Sequence, residues 1–196
     1  KIFIKQFQKL DSKKYLINEL IINYQNKNYT KTKNLAEKIT KLYPNYFLAW
    51  KILGFLLFQE NKIDESISSL TNATKLNPKD YETYNNLGRA YLVIGKLSDA
   101  EKAFFQSKYM KSDYFPAQYN LAMTYGKLGK FTEAEEVYKI AIRLNPNHAQ
   151  SYYNLGNIFV KLNKPDKAEK AYRKAIEIKP DYSMCFNLSL IHISEP

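Results

Sequence analysis

Asn86, Asn120 and Asn154 stand 34 residues apart. A primary amide donates and accepts hydrogen bonds at the same time. Three of them at a fixed interval can hold an extended polypeptide by its backbone without reading its side chains. Beside them at neighbouring positions stand Lys51, Asn85, Arg89, Tyr119, Lys127, Tyr153, Asn157 and Lys161. That mixture of amide, aromatic and basic groups suits an extended peptide, and an acidic one in particular. The competing reading is local. Such an asparagine can serve groups on its own helix, and an isolated surface lysine is ordinarily a solvated charge.

Other chemistries have little to work with. Cys185 is the only cysteine, so neither an intrachain disulfide nor a thiolate metal site can form. His148 and His192 are too few for a histidine cluster. Neither glycine-rich phosphate-binding pattern occurs. "GKLS" and "GKLGKF" read as turns between helices. Glu133, Glu135 and Glu136 fall near the start of a helix, where negative charge favours the helix dipole. The expectation is no catalytic residue, no metal and no cofactor.

Helices must position these side chains, and a repeat supplies them. Four segments superpose without a gap at a period of 34, starting at Phe47, Tyr81, Phe115 and Ala149. Position 7 is always leucine: Leu53, Leu87, Leu121, Leu155. Position 8 is small: Gly54, Gly88, Ala122, Gly156. Position 4 is Trp50, Tyr84, Gln118, Tyr152, and position 11 is Leu57, Tyr91, Tyr125, Phe159. These four positions share one helix face. Positions 20, 24 and 27 do the same on a second helix, small at 20 and 27 and bulky at 24 (Leu70, Phe104, Tyr138, Tyr172). Small residues let the paired helices approach, and bulky ones fill the space around the contact. Positions 15 and 16 read as the turn. Asp64, Ser98, Thr132 and Asp166 read as N-caps of the second helix, with capping-box spacing in Ser98–Glu101 and Thr132–Glu135. Proline at position 32 (Pro78, Pro146, Pro180) ends the unit.

The pattern resembles the tetratricopeptide repeat: W-x2-L-G-x2-Y, then A-x3-F, then P. Eight columns hold in phase over residues 47–180. The units are 47–80, 81–114, 115–148 and 149–182. Residues 13–46 read as a divergent copy, with Pro44 in phase but Glu19 and Leu20 where leucine and a small residue belong. Residues 1–12 read as a partial helix or frayed end. The resemblance implies an all-α fold, a right-handed superhelix of stacked helix hairpins with the first helices lining a concave groove. Asn86, Asn120 and Asn154 at position 6 would face that groove with Asn85, Arg89, Lys127, Asn157 and Lys161. The implied partner is a protein or an extended peptide.

Two finer resemblances give different results. The chaperone-carboxylate clamp of some tetratricopeptide domains is incomplete in both frames. From Lys51 it meets Phe55 and Pro116, and from Asn85 and Arg89 it meets Gln150. "YNNLGRAYLVIGKLSDAEKAF" and "YYNLGNIFVKLNKPDKAEKAYRKAIEIKPDY" are similar to repeats ahead of bacterial protein O-GlcNAc-transferase-like glycosyltransferases. In that family a position-6 asparagine ladder holds the acceptor, and Asn86, Asn120 and Asn154 match it while Ile52 departs. Similar repeats precede sulfotransferase domains. The catalytic domain would then lie downstream of residue 187.

The net charge of +11 invites a nucleic-acid reading. Lys, Asn, Ile and Tyr are abundant together, which a low-G+C genome produces without any such partner. Residues 1–46 carry most of the imbalance, ten Lys/Arg against three Asp/Glu. A pentatricopeptide reading fits the charge but not the period, which is 35 in that family, nor the Gly/Ala and Pro columns. No stretch reaches the roughly 18 apolar residues of a membrane span, so the expectation is a cytoplasmic protein without a membrane or small-molecule partner.

A fifth copy should start at Ser183, and positions 4 and 5 (Phe186, Asn187) fit. Then Leu188, Ser189 and Leu190 occupy the Asn, Leu and Gly positions, and the phase is lost. "LSLIHISEP" matches the translation of a transposon-end sequencing adapter in all nine codons. Residues 183–187 thus read as a truncated repeat and 188–196 as adapter read-through, which also removes His192 from the argument. Amplifying genomic DNA across codons 187 and 188 should give a different continuation. A genomic sequence encoding the same nine residues overturns this reading.

Overall fold

The computed structural model describes residues 2–180, with side chains from residue 12 onward. The expectations about 183–187 and 188–196 lie outside the described residues. Ten helices follow one another: α1 (Ile2–Gln25), α2 (Tyr29–Leu42), α3 (Phe47–Gln59), α4 (Ile63–Leu76), α5 (Tyr81–Val93), α6 (Leu97–Met110), α7 (Phe115–Lys127), α8 (Phe131–Leu144), α9 (Ala149–Lys161) and α10 (Pro165–Ile178). No strand occurs among the described residues. From α3 onward, odd-numbered helices cover positions 1–13 and even-numbered ones positions 17–30. Contacts divide the chain into two units, Lys1–Ile94 with α1–α5 and Gly95–Pro196 with α6–α10.

The turn has one recurring device. Lys27, Asn61 and Asn163 have φ of 58°, 60° and 54°, and Gly95 and Gly129 have 73° and 76°. All five stand at position 15. A left-handed residue there closes the first helix and reverses the chain. Glycine does this without strain, and asparagine tolerates it better than most residues. The helix restarts two residues later, so Asn28, Lys62, Lys96, Lys130 and Lys164 are the cap residues, none with a side-chain cap bond. This corrects the expected caps. Asp64, Ser98, Thr132 and Asp166 are already the second residue of their helices.

In the first unit, α1 runs unbroken through residues 2–25, so no break separates residues 2–12 from residue 13 onward. Leu20 is fully buried in a cluster with Leu35, Ala36, Ile39, Ile52 and Leu53. Glu19 turns outward and pairs with Lys31 at 3.3 Å. The leading hairpin therefore presents a rotated face, with a leucine where later hairpins have glycine or alanine. Ile52 is 4% exposed, which explains an apolar residue in the asparagine column.

Position 8 meets position 24. A Cβ built on Gly54 would lie 2.6 Å from Leu70 Cγ and 3.2 Å from the Leu70 backbone nitrogen. On Gly156 it would lie 2.5 Å from the Tyr172 ring. Ser66, at position 20, uses the same closeness to donate its hydroxyl to the Gly54 carbonyl at 2.7 Å. In two copies position 4 donates to the carbonyl at position 32 of the preceding unit. Trp50 Nε1 reaches Pro44 O at 2.7 Å, and Gln118 Nε2 reaches Ser112 O at the same distance.

Gly54→Ala should lower stability by about 1 kcal/mol. Overpacking costs about 2, offset by about 1 from better helix propensity. The denaturation midpoint should fall, and Leu70→Ala in the same chain should remove the clash. A midpoint that rises in Gly54→Ala alone would contradict the close contact.

Candidate peptide-binding face

In the second unit α7 and α9 lie side by side, with α8 packed against both. Their shared face carries a cavity of about 350 Å³. Tyr119, Met123 and Lys127 project from α7 at four-residue intervals, one row of a helix. Gln150, Asn154, Asn157, Ile158 and Lys161 come from α9. Phe131 and Tyr138 of α8 close the apolar floor.

The amides form a chain. Gln150 Nε2 donates to Asn154 Oδ1 at 2.9 Å, and Asn154 Nδ2 donates to the Tyr119 hydroxyl at 3.2 Å. The Tyr172 hydroxyl donates to Asn157 Oδ1 at 2.7 Å. Burial pushes the Tyr119 and Tyr138 hydroxyls above the usual phenol range, against the Asn154 hydrogen bond that favours ionisation. Both therefore keep their protons at physiological pH. His148, the cap residue of α9, stands 4.9 Å from the Phe115 ring and 5.0 Å from that of Tyr119, edge to face. Burial holds its imidazole below the ordinary value, so it is uncharged at pH 7.

Of the residues expected from sequence, Lys127, Asn154, Asn157 and Lys161 meet at this cavity. Lys127 and Lys161 are exposed, with no carboxylate within 4 Å among the described residues. Asn120 lies on α7 outside the lining, half-buried, and its carbonyl accepts from Thr124 Oγ1. Asn86 belongs to the first unit and is half-buried on α5. Asn85 is 4% exposed, a correction to its placement on an open groove. Its short side chain stays inside where Lys51, Tyr119 and Tyr153 reach further. Arg89 lies over the Phe58 ring at 4.8 Å, and Lys51 is neutralised by Asp80 at 3.0 Å and Glu82 at 2.5 Å. Gln150, Met123 and Phe131 were missed, although the four-residue spacing of Gln150 and Asn154 signals their contact.

Cross-repeat ion pairs brace α8. The expected capping boxes do not form, because Glu101 and Glu135 point to the next hairpin. Glu101 accepts from Lys130 at 2.7 and 2.8 Å, and Glu135 from Lys164 at 2.8 Å. Glu135 also pairs with Lys139, and its side chain is 8% exposed. These two lysines hold its carboxyl below the usual range.

Hairpins stacked at this period, with an amide-lined face on their first helices, define a helical-repeat scaffold. Residues 119–183 match a tetratricopeptide repeat model and residues 54–95 a second TPR repeat model, so the chain carries tetratricopeptide repeats. A PPR repeat model matches residues 82–110. No curated protein matches. Among solved structures, a MamA protein is 21% identical, with TM-score 0.78 over 89% of this chain and 95% of that one. YrrB, a TPR protein with an unusual peptide-binding site, is 17% identical, with TM-score 0.81 over 89% and 90%. MamA from Desulfovibrio magneticus RS-1 is 16% identical, with TM-score 0.78 over 88% and 97%. At these identities the likeness is one of fold. No helix among the described residues is long and apolar enough to cross a membrane.

A depressed carboxyl pKa contributes stability that is present above the unfolded value, about 4.3 for Glu, and lost as pH falls through the folded value. Glu135 should thus stabilise the second unit by about 1 kcal/mol at pH 7, a modest figure because both lysines are substantially exposed. Urea denaturation below pH 5 should show this loss, and Glu135→Gln should be less stable at pH 7 and flatter with pH. An identical pH profile for the variant would remove the role.

Proposed function

We propose that the chain is a protein-interaction module whose second unit binds an extended peptide along the α7–α9 face. Lys127 and Lys161 take an acidic side chain. The cavity over Phe131 and Tyr138 takes a neighbouring apolar one. Asn157, its oxygen held by Tyr172, offers Nδ2 to a peptide carbonyl. The observation that carries the reading is the coincidence of two unpaired lysines, an amide row and an apolar floor at one cavity of about 350 Å³. Binding in such clefts draws on apolar burial, with a few polar groups fixing orientation. YrrB, whose described peptide-binding site stands on a similar fold, supports this by analogy.

The hydrogen bonds favour a partly local role for the asparagines. Asn154 uses its oxygen on Gln150 and an N–H on Tyr119, so it aligns the face as well as any ligand. The ladder of Asn86, Asn120 and Asn154 as acceptor-recognition region of a larger glycosyltransferase or sulfotransferase rests on the repeat sequences alone. The matches described above do not carry that setting.

Random peptides selected on the immobilised chain should be enriched in Asp or Glu beside Leu, Ile or Phe. Lys127→Glu with Lys161→Glu should weaken the selected peptides at least tenfold, about 1.4 kcal/mol, with helicity unchanged. Selection of neutral or basic peptides, or undiminished binding to the double variant, would sink the proposal.

A further inference from the structure

A second cavity, of about 510 Å³, lies wholly within the first unit, between α2 and α4 over α3. Trp50, Leu53 and Leu57 line it from α3. Glu37 enters from α2, and Glu65 and Ser69 from α4. Trp50 is fixed by its hydrogen bond to Pro44. Ser69 is only 5% exposed, and its hydroxyl, which bonds to no described residue, is still reached by solvent. A hydroxyl on the cavity wall can donate to and accept from a ligand or water there.

The cavity wall also carries carboxylates without a counter-ion. In a chain with far more basic than acidic residues, most described carboxylates of this unit are paired. Glu19 is held by Lys31, Glu60 by Lys33 and Lys62, and Asp80 and Glu82 by Lys51. Glu37 and Glu65, like Asp64, have no cation within 4 Å among the described residues, although Lys41 also stands on the rim. With Lys41 counted, the lining keeps a net charge of −1. The repeat does not require this. At the same repeat positions around α9 the second unit carries Lys139, Arg143, Lys167 and Lys170.

We propose that this cavity binds one basic side chain, an arginine or lysine presented by a partner polypeptide. The methylene stem lies over Leu53 and Leu57, as long cationic side chains cover apolar surface. The charged head sits between Glu37 and Glu65 near the indole, which attracts cations through its ring quadrupole. Ser69 Oγ accepts one N–H. The site shares no residue with the α7–α9 face, so each can fail without the other.

Trp50 is the only tryptophan in the chain and reports on this cavity directly. The probe is the acetylated amide Ala-Leu-Arg-Leu-Ala, with lysine in place of arginine in a second arm. A citrulline peptide of nearly the same shape removes the charge. A saturable change in Trp50 emission with the arginine or lysine peptide is expected, at least tenfold weaker for citrulline and for the double variant Glu37→Gln/Glu65→Gln. Lys127→Glu/Lys161→Glu should leave it unchanged. No saturable change up to millimolar peptide, an equal response to citrulline, or an undiminished response in the Glu37/Glu65 variant overturns the assignment.

Discussion

The α3–α4 and α9–α10 hairpins depend on one contact: the backbone of a first helix pressed against a single bulky side chain of its partner. At Gly54 that side chain is Leu70, and at Gly156 it is Tyr172. There is no room for a methyl group in the present arrangement. The contact fixes the separation of the two helices, and the separation fixes which side chains of α3 and α9 remain on the outer faces. A hairpin of this kind leaves apolar surface on both sides, so it is stable only when neighbours cover it. In the second unit the Glu101–Lys130 and Glu135–Lys164 pairs join each hairpin to the next at equivalent places. They are directional where apolar packing is not.

Helix register was legible because small, bulky and leucine positions obey helical spacing in every copy. The left-handed turn residue could be read from Gly95, Gly129, Asn61 and Asn163, and Lys27 shows that the geometry outranks residue preference. The caps were misread for a physical reason. Asp64, Ser98, Thr132 and Asp166 have cap chemistry, but the tight reversal restarts the helix earlier, leaving them beside its positive end. Glu101 and Glu135 had capping-box spacing, yet long-range lysines compete for the same carboxylates. Spacing along one helix carries no information about a lysine 29 residues away.

The candidate site was half legible. Lys127, Asn154, Asn157 and Lys161 fall on one face by periodicity alone. Which members of a column stay exposed depends on neighbours that periodicity does not specify. Lys51 looks like a groove cation until Asp80 and Glu82 close on it, and Asn85 looks accessible until its short side chain is buried. The charges of such a chain therefore act only where they lack partners. Net charge is a poor guide to what it binds.

Gln118 carries a lesson about what a repeat column is. It stands where two other copies have tyrosine and one has tryptophan, and by residue type it is an outlier. By hydrogen bonding it is not, since its amide reaches the Ser112 carbonyl just as the Trp50 indole reaches that of Pro44. In these two copies the position serves as a donor to the same backbone carbonyl, whatever its residue type. The exchange also leaves a trace: the other end of the amide, Oε1, is buried without a partner, a cost an indole never incurs. At this position two units are thus equivalent by the bond they make, and a substitution matrix built on residue similarity would miss the equivalence.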